Sequence, residues 1–485
     1  MTGWRPIGPV DTIWLNMDVP HNLMVIDSIM WFDAAVDWHR LTAVLQRRLL
    51  TRYPVFSQRP IDPRLPFGVP HWEDDPGFCL DRHLTHVTLP PPGDEAELRT
   101  YVEAQLHRPL DREHPLWEIH LVDGYRGGAA ILSRFHHALA DGIALSQLLV
   151  SLTDAAPNGD LDETLDPAVD PVELPGRHGD PTADRACDRP ADQSGDRAAA
   201  LRGATARMTG TATWAGRAAL RLCSALPRLV EPSAPIHALR LAGQLGQTAT
   251  KLMLTSNPRT QLSGTPGIAK RVAWSGPRPL PKVKRVGRLA GATVNDVLVA
   301  AVSEAISQYL LDHDGKAVDL TTMVPVNVRP LDRPLPRELG NRFALVLLQL
   351  PTGAWAPVDR LSEAKRRMDA VKRSPEVAVT FGLITAIGRT TPELERVLVE
   401  FFSNKAFGVT TNVAGPRSVR YLAGTAIAGM LGWVPGTGNQ SLGVCIYTYN
   451  DTVRVGFKVD ATLVPEPDKL VFAFETAIDG LLRLG

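Results

Sequence analysis

Between residues 154 and 197 the chain loses the means to build a core. The stretch is rich in Asp, Pro, Gly and Ala, has few aliphatic side chains, and contains no Phe, Trp or Tyr. Such a composition cannot bury enough apolar surface to offset the entropy of ordering it, so it reads as a disordered linker. Ordered structure has to lie on either side of it. A length of 485 residues suits two or three domains. The expected division is an N-terminal part at 1–153, the linker at 154–198, connecting amphipathic helices at 199–267, and a C-terminal part at 268–485.

Both folded parts mix helices and strands. Residues 38–52 carry Leu41, Val44, Leu45 and Leu49 at helical spacing, and 95–106 form a second helical pattern. Buried strands are expected at 119–122 and 129–135, with a helix restarting at Ile143. The C-terminal part shows a long helix at 294–311 and strands at 321–326, 343–350 and 453–459. Residues 421–450 hold no charged side chain, which invites a transmembrane reading. A membrane helix needs roughly 20 apolar residues in a row, and the PGTGNQ run at 435–440 divides this one. Two strands, near 425–433 and 441–449, fit better, either lining an apolar cavity or buried in an ordinary sheet. The fold class is therefore α/β, with mixed sheets flanked by helices.

Composition removes several functions. Fifty-two basic residues balance fifty-two acidic ones, so no global field recruits nucleic acid. The four cysteines (Cys79, Cys187, Cys223 and Cys445) lie far apart without CxxC spacing, which excludes a disulfide scaffold or zinc ribbon and suits a reducing cytoplasm. The first fifteen residues lack the basic start and apolar run of a signal peptide.

The run Phe135-His136-His137-Ala138-Leu139-Ala140-Asp141-Gly142 is the most informative. It follows an apolar strand and precedes an amphipathic helix, so a rigid scaffold presents its histidines. Gly142 offers conformational freedom where loop becomes helix. Three readings of these residues compete: a pair of hydrogen-bonded core histidines; a metal site of His137 and Asp141, for which no third or fourth ligand is evident; and a general base with a structural aspartate, since histidine titrates near neutrality.

HHxxxDG resembles the active-site motif of the chloramphenicol acetyltransferase-like, CoA-dependent acyltransferase superfamily. The rest of the chain, apart from the linker, resembles one branch of it, the bacterial wax ester synthase/acyl-CoA:diacylglycerol acyltransferase family. The likeness is carried by PLDREHPLWE at 109–118, Asn295-Asp296 at a helix start, PVNVR at 325–329, Leu339-Gly340-Asn341, and TNVAGP at 411–416. It implies two domains of that superfamily's fold with an active-site tunnel between them. It also implies His137 as the base that takes the acceptor hydroxyl's proton during attack on an acyl-CoA thioester, without an acyl-enzyme. Asp141 would pair with an arginine and hold the loop, and His136 would pack beneath it. No metal or redox cofactor is implied, acyl-CoA being a co-substrate. The acceptor would be diacylglycerol, a long-chain alcohol, or both.

Other assignments keep two sides. Asn295, at a helix N-terminus, suits an oxyanion donor, or Asn295 and Asp296 cap the helix. Pro115, Leu116 and Trp117 shape the channel wall or simply pack where a strand begins. Ser263, Ala414 and the TYND run at 448–451 depart from the family's pattern and leave chain and acceptor preference open. Between 202 and 228 the only charges are five arginines among leucines and Trp214. That suits peripheral contact with an anionic membrane or lipid droplet, or a bridging helix with its arginines in solvent. His83 and His86 read as part of a surface helix or loop without a role. The rivals are an acyltransferase of the same superfamily acting on a polyketide or peptide, and a lipid-binding protein of storage droplets without activity.

Overall fold

The computed structural model describes residues 4–63, 68–159, 251, 253, 255–329 and 334–483. The linker and the arginine-bearing segment at 202–228 lie outside them. Strands of the first half are β1 (Arg5–Pro6), β2 (Val25–Phe32), β3 (Gln58–Ile61), β4 (His71–Asp74), β5 (Leu84–Thr88), β6 (Trp117–Tyr125) and β7 (Gly128–His136). Those of the second are β8 (Lys270–Trp274), β9 (Arg278–Pro279), β10 (Leu320–Asn327), β11 (Phe343–Leu350), β12 (Gly408–Ala414), β13 (Tyr421–Leu422), β14 (Thr425–Trp433), β15 (Leu442–Tyr449) and β16 (Thr452–Asp460). Helices are α1 (Pro9–Met17), α2 (Trp38–Val44), α3 (Glu95–Leu106), α4 (Gly142–Ser151), α5 (Leu280–Leu289), α6 (Val294–Asp314), α7 (Pro357–Arg373), α8 (Glu376–Ile387), α9 (Pro392–Ser403) and α10 (Pro467–Arg483).

A six-stranded sheet runs β13-β14-β2-β7-β6-β5. Its centre, β7, has every residue buried, which is why its sequence, apolar through Leu132, shows no period-two alternation. The strand's one basic residue of fixed charge is Arg134, wholly enclosed. Its guanidinium donates to Asp27 at 3.3 Å, Glu118 at 2.9 Å and the Arg108 carbonyl at 2.6 Å. Lys458, from β16, closes the network on the other Asp27 oxygen at 2.8 Å. Arg134 and His120 together hold the Glu118 carboxyl down at about 2 against the opposing pull of burial. A charge this deep is tolerable only when fully paired.

The second sheet orders β11-β10-β12-β15-β16-β8, with β9 beside β16. β12 runs parallel to both β10 and β15. α6 lies in the core of this half, started by a capping box in which Thr293 and Asp296 bond each other's backbone amides, and ended by Gly315 in the left-handed region. The TYND departure is the β15–β16 turn. Asn450 and Asp451 sit at φ 46 and 50, the conformation a two-residue hairpin turn of this type requires.

The uncharged stretch does yield two strands, β14 and β15, but in different sheets. β14 leaves the C-terminal half and pairs with β2, so the first sheet is completed by residues about 400 positions downstream, Trp433 lying opposite Asp27. The division at 268 needs that amendment: the described parts of both halves form one compact unit. Two further expectations change. The helix expected over 38–52 is α-helical only to Val44 and continues as a π-helical turn over Leu45–Leu50. His83 is buried, 2.8 Å from the Trp117 carbonyl and stacked on the Trp117 ring, while His86 lies in β5 and pairs with Asp123. Parallel pairing of β5 with β6 turns the predicted surface segment into a sheet strand. Among the described residues no single helix is long and apolar enough to cross a membrane; the bent pair α5 and α6 meets the length and composition test only across a 97° break.

Candidate active site

β7 delivers His136 and His137 to the place where the two halves meet. His136 is held by its neighbours: its amide donates to the Leu116 carbonyl at 3.0 Å, its Nδ1 accepts from the Ala138 amide at 3.1 Å, and its Nε2 lies 3.5 Å from the Asp18 carboxylate. It is a buried support for the loop.

His137 is fixed at both backbone ends. Its amide donates to the Met24 carbonyl at 2.7 Å, and its carbonyl accepts from Asn341 Nδ2 at 2.7 Å. The ring stacks on Trp14 with centroids 4.0 Å apart, and Phe343 stands 6.0 Å away. Nδ1 is sealed from solvent without a partner, whereas Nε2 is not sealed in this way. Burial pulls the imidazole down from 6.5 to about 4, and neither its own carbonyl, Asp141 nor Asn341 offsets that. The ring is therefore neutral at pH 7, with a lone pair available to take a proton.

Asp141 caps α4. Oδ1 accepts from the Ala144 amide at 2.9 Å; Oδ2 accepts from the Arg342 amide at 3.0 Å and lies 3.5 Å from the Arg329 guanidinium. This carboxylate ties the loop to the C-terminal half. Gly142 differs from expectation: it is the first helical residue, its φ is not positive, and an added Cβ would meet only Val434 Cγ1 at 3.9 Å. No backbone demand for glycine exists there.

Two residues that sequence reasoning passed over complete the arrangement. Asp11 Oδ1 accepts from the Asn341 amide at 2.7 Å and from Nδ2 at 2.8 Å, so the same side chain that holds the His137 carbonyl is itself held by α1. Burial raises the Asp11 carboxyl to about 6. Trp14, one turn along, supplies the stacking face. Their i, i+3 spacing on one helix was the available signal.

The remaining candidates make other contacts. Leu116 and Trp117 are fully enclosed; the Trp117 indole donates to the Phe56 carbonyl at 2.8 Å, and the Leu116 carbonyl supports His136. They are packed where β6 begins. Asp296 belongs to the capping box, and Asn295 Oδ1 accepts from Asn412 Nδ2 at 2.9 Å. No hydrogen bond or ring contact among the described residues joins Asn295 to the His137 loop. His137 and Asp141 belong to no group of three or more His, Cys, Asp or Glu side chains, among the described residues, that could hold a metal ion.

Beside the ring lies an apolar cavity of about 80 Å³. Trp14 and Phe343 form its near wall, Met323, Leu345 and Leu347 its sheet side, and Leu383, Ile384, Val399 and Phe402 of α8 and α9 its far side. Trp14 and Phe343, the two aromatic neighbours of the imidazole, are shared with this greasy pocket, which His137 itself does not line.

Residues 7–298 match the wax ester synthase/diacylglycerol acyltransferase catalytic domain, and 339–481 match the C-terminal domain of the same group. The chain belongs to the wax ester synthase/diacylglycerol acyltransferase family. It is accordingly an acyl-CoA-dependent O-acyltransferase. A relative described as a probable diacylglycerol O-acyltransferase, tgs1 of Mycobacterium tuberculosis, is 26% identical over 433 residues, 88% of this chain and 83% of its own. Similar solved folds include the wax ester synthase/diacylglycerol acyltransferase of Marinobacter aquaeolei VT8, with 20% identity, 98% of each chain covered and a TM-score of 0.63. The starter condensation domain of rhizomide synthetase, solved with C8-CoA and Leu-SNAC, aligns over 99% of this chain and 94% of its own at 15% identity and a TM-score of 0.55. These likenesses establish the two-domain α/β fold of chloramphenicol acetyltransferase-like enzymes.

Proposed function

We propose that this acyltransferase moves a long-chain acyl group from acyl-CoA to diacylglycerol, to a long-chain alcohol, or to both, with His137 as general base. The observation that carries the reading is the neutral His137 ring, clamped by Trp14 and by backbone bonds at both ends, against an apolar cavity. As the acceptor oxygen attacks the thioester carbonyl, its proton passes to His137 Nε2. The tetrahedral intermediate then expels the CoA sulfur, which leaves with that proton, so no acyl-enzyme forms. A base of this low pKa accepts the proton only in concert with C–O bond formation.

Asn295 is the proposed oxyanion donor: with Oδ1 taken by Asn412, its Nδ2 remains to donate. The proposed tunnel runs between the halves past His137, with acyl-CoA and acceptor entering from opposite mouths. The reaction so written needs no metal or redox cofactor. Peripheral association with the inner membrane face or lipid droplets is part of the proposal, since diacylglycerol and long-chain alcohols are insoluble.

The test is CoA release by purified protein with palmitoyl-CoA and dioleoylglycerol, hexadecanol or no acceptor, alongside His137→Ala. Acceptor-dependent release lost in the variant supports the reading and ranks the acceptors. Release that survives in His137→Ala removes histidine as the base. Binding of palmitoyl-CoA without release moves the reading to another acceptor or to a lipid-binding role.

A further inference from the structure

The far wall of the cavity has an outside, and its chemistry is unusual. Glu376 is the only charged residue of α8; it is buried and paired with Lys251 at 2.6 Å. Leu383, Ile384 and Ile387 face the cavity, whereas Ala378, Gly382 and Ala386, spaced by four, are exposed. α9 repeats the pattern: Val399 and Phe402 point inward, while Leu394, Val397 and Phe401 stand outside with 49%, 62% and 44% of their surfaces exposed. Their spacing of three and four makes a single stripe on one helix face. An outer face of α8 without charge, beside an exposed stripe of three large apolar side chains on α9, is more apolar than a surface that meets only water requires.

The rim is mostly basic. Arg389 and Arg396 are exposed around the stripe, and the exposed Lys372 and Arg373 end α7 just before the hairpin. Glu393 and Glu400 are the exposed carboxylates of α9. An apolar centre with cationic edges fits an interface with anionic headgroups. The cavity beneath is lined by apolar side chains of these same two helices. α8 and α9 form one of its walls, so an apolar chain arriving from this side has to pass between or beside them. Glu395, turned inward under the stripe, has Oε1 sealed without a partner, so that wall is seated with an unmet polar group that movement would relieve.

We infer that the outer face of α8–α9 docks on an anionic lipid surface and that this hairpin is the door through which apolar substrate passes to the cavity. What passes rests on the acyltransferase reading above; the docking does not. The test compares the full chain with a Leu394→Ser/Val397→Ser/Phe401→Ser variant in co-sedimentation with phosphatidylcholine–phosphatidylglycerol vesicles and with phosphatidylcholine alone. Taking three half-buried apolar side chains from the interface lowers partitioning by about ten- to a hundredfold. Arg373→Gln/Arg389→Gln weakens binding to the anionic vesicles only. Transfer from a short-chain acyl-CoA to a water-soluble alcohol without vesicles stays unchanged in the serine variant, while turnover of vesicle-borne diacylglycerol falls.

Unchanged partitioning of the serine variant overturns the inference, and places any lipid contact elsewhere, such as 199–230. A lower melting temperature with unchanged partitioning also overturns it, and assigns the face to another part of this chain. Loss of the soluble reaction in parallel with the vesicle reaction overturns the door. Patch-dependent vesicle binding in a protein that transfers no acyl group supports the docking and defeats the acyltransferase reading instead.

Discussion

Acidification isolates the burial of His137. In the folded protein its imidazole is lowered from 6.5 to about 4, so between those values the unfolded chain binds a proton that the folded one refuses. Stability contributed at this site is complete above pH 6.5 and is lost as pH falls toward 4. The full window is worth about 3 kcal/mol, and the step from pH 7 to pH 5 about 2 kcal/mol. Asp11, raised to about 6, and Glu395, raised to about 7, act with the opposite sign over the same range, so the whole protein's pH dependence mixes them. The difference between wild type and His137→Gln removes what the two share. Urea unfolding followed by tryptophan fluorescence at pH 7 and pH 5 should show wild type losing about 2 kcal/mol more than the variant over that step. Equal pH dependence in the two proteins, or a His137 ring resonance titrating near its ordinary value, would refute the claim that the ring is held neutral by burial.

Further outcomes follow from the same geometry. Asp27→Ala leaves the enclosed Arg134 short of a counter-charge and should cost about 3–5 kcal/mol, whereas Lys458→Met leaves Asp27 paired with Arg134 and should cost less; thermal unfolding ranks the two. Asn341→Ala frees the His137 carbonyl from its bond to the C-terminal half and should lower kcat by about a hundredfold with little change in KM for acyl-CoA; a pure KM effect would place Asn341 in binding instead. Trp14→Ala removes the stacked ring and should move the His137 resonance titration up toward its ordinary range; an unmoved titration would mean Trp14 does not seal it. Gly142→Ala should leave stability unchanged or raise it by up to about 1 kcal/mol, measured by thermal shift; a marked loss would contradict the open space found at that Cα.

Much of the local structure was legible without coordinates. α3 and β11 span the expected residues, because a capped amphipathic pattern and an unbroken apolar run each allow one backbone solution. The HHxxxDG loop was equally legible, since a strand must end before it and a helix begin after it. Periodicity, however, says which face of a strand is buried and nothing about its neighbour. β14 could be recognised as a strand, but only tertiary packing sends it to β2 and leaves β15 in the other sheet. The sequence alone thus determined many of the elements and the motif. Tertiary structure decided what surrounds His137: Asp11 and Asn341 stand 330 residues apart in the chain, and Trp14 is more than a hundred from His137 in round terms. A hydrogen bond or stacked ring over such separations leaves no periodic trace, because it depends on how whole elements pack, and that packing makes an ordinary histidine a buried, neutral and fixed one.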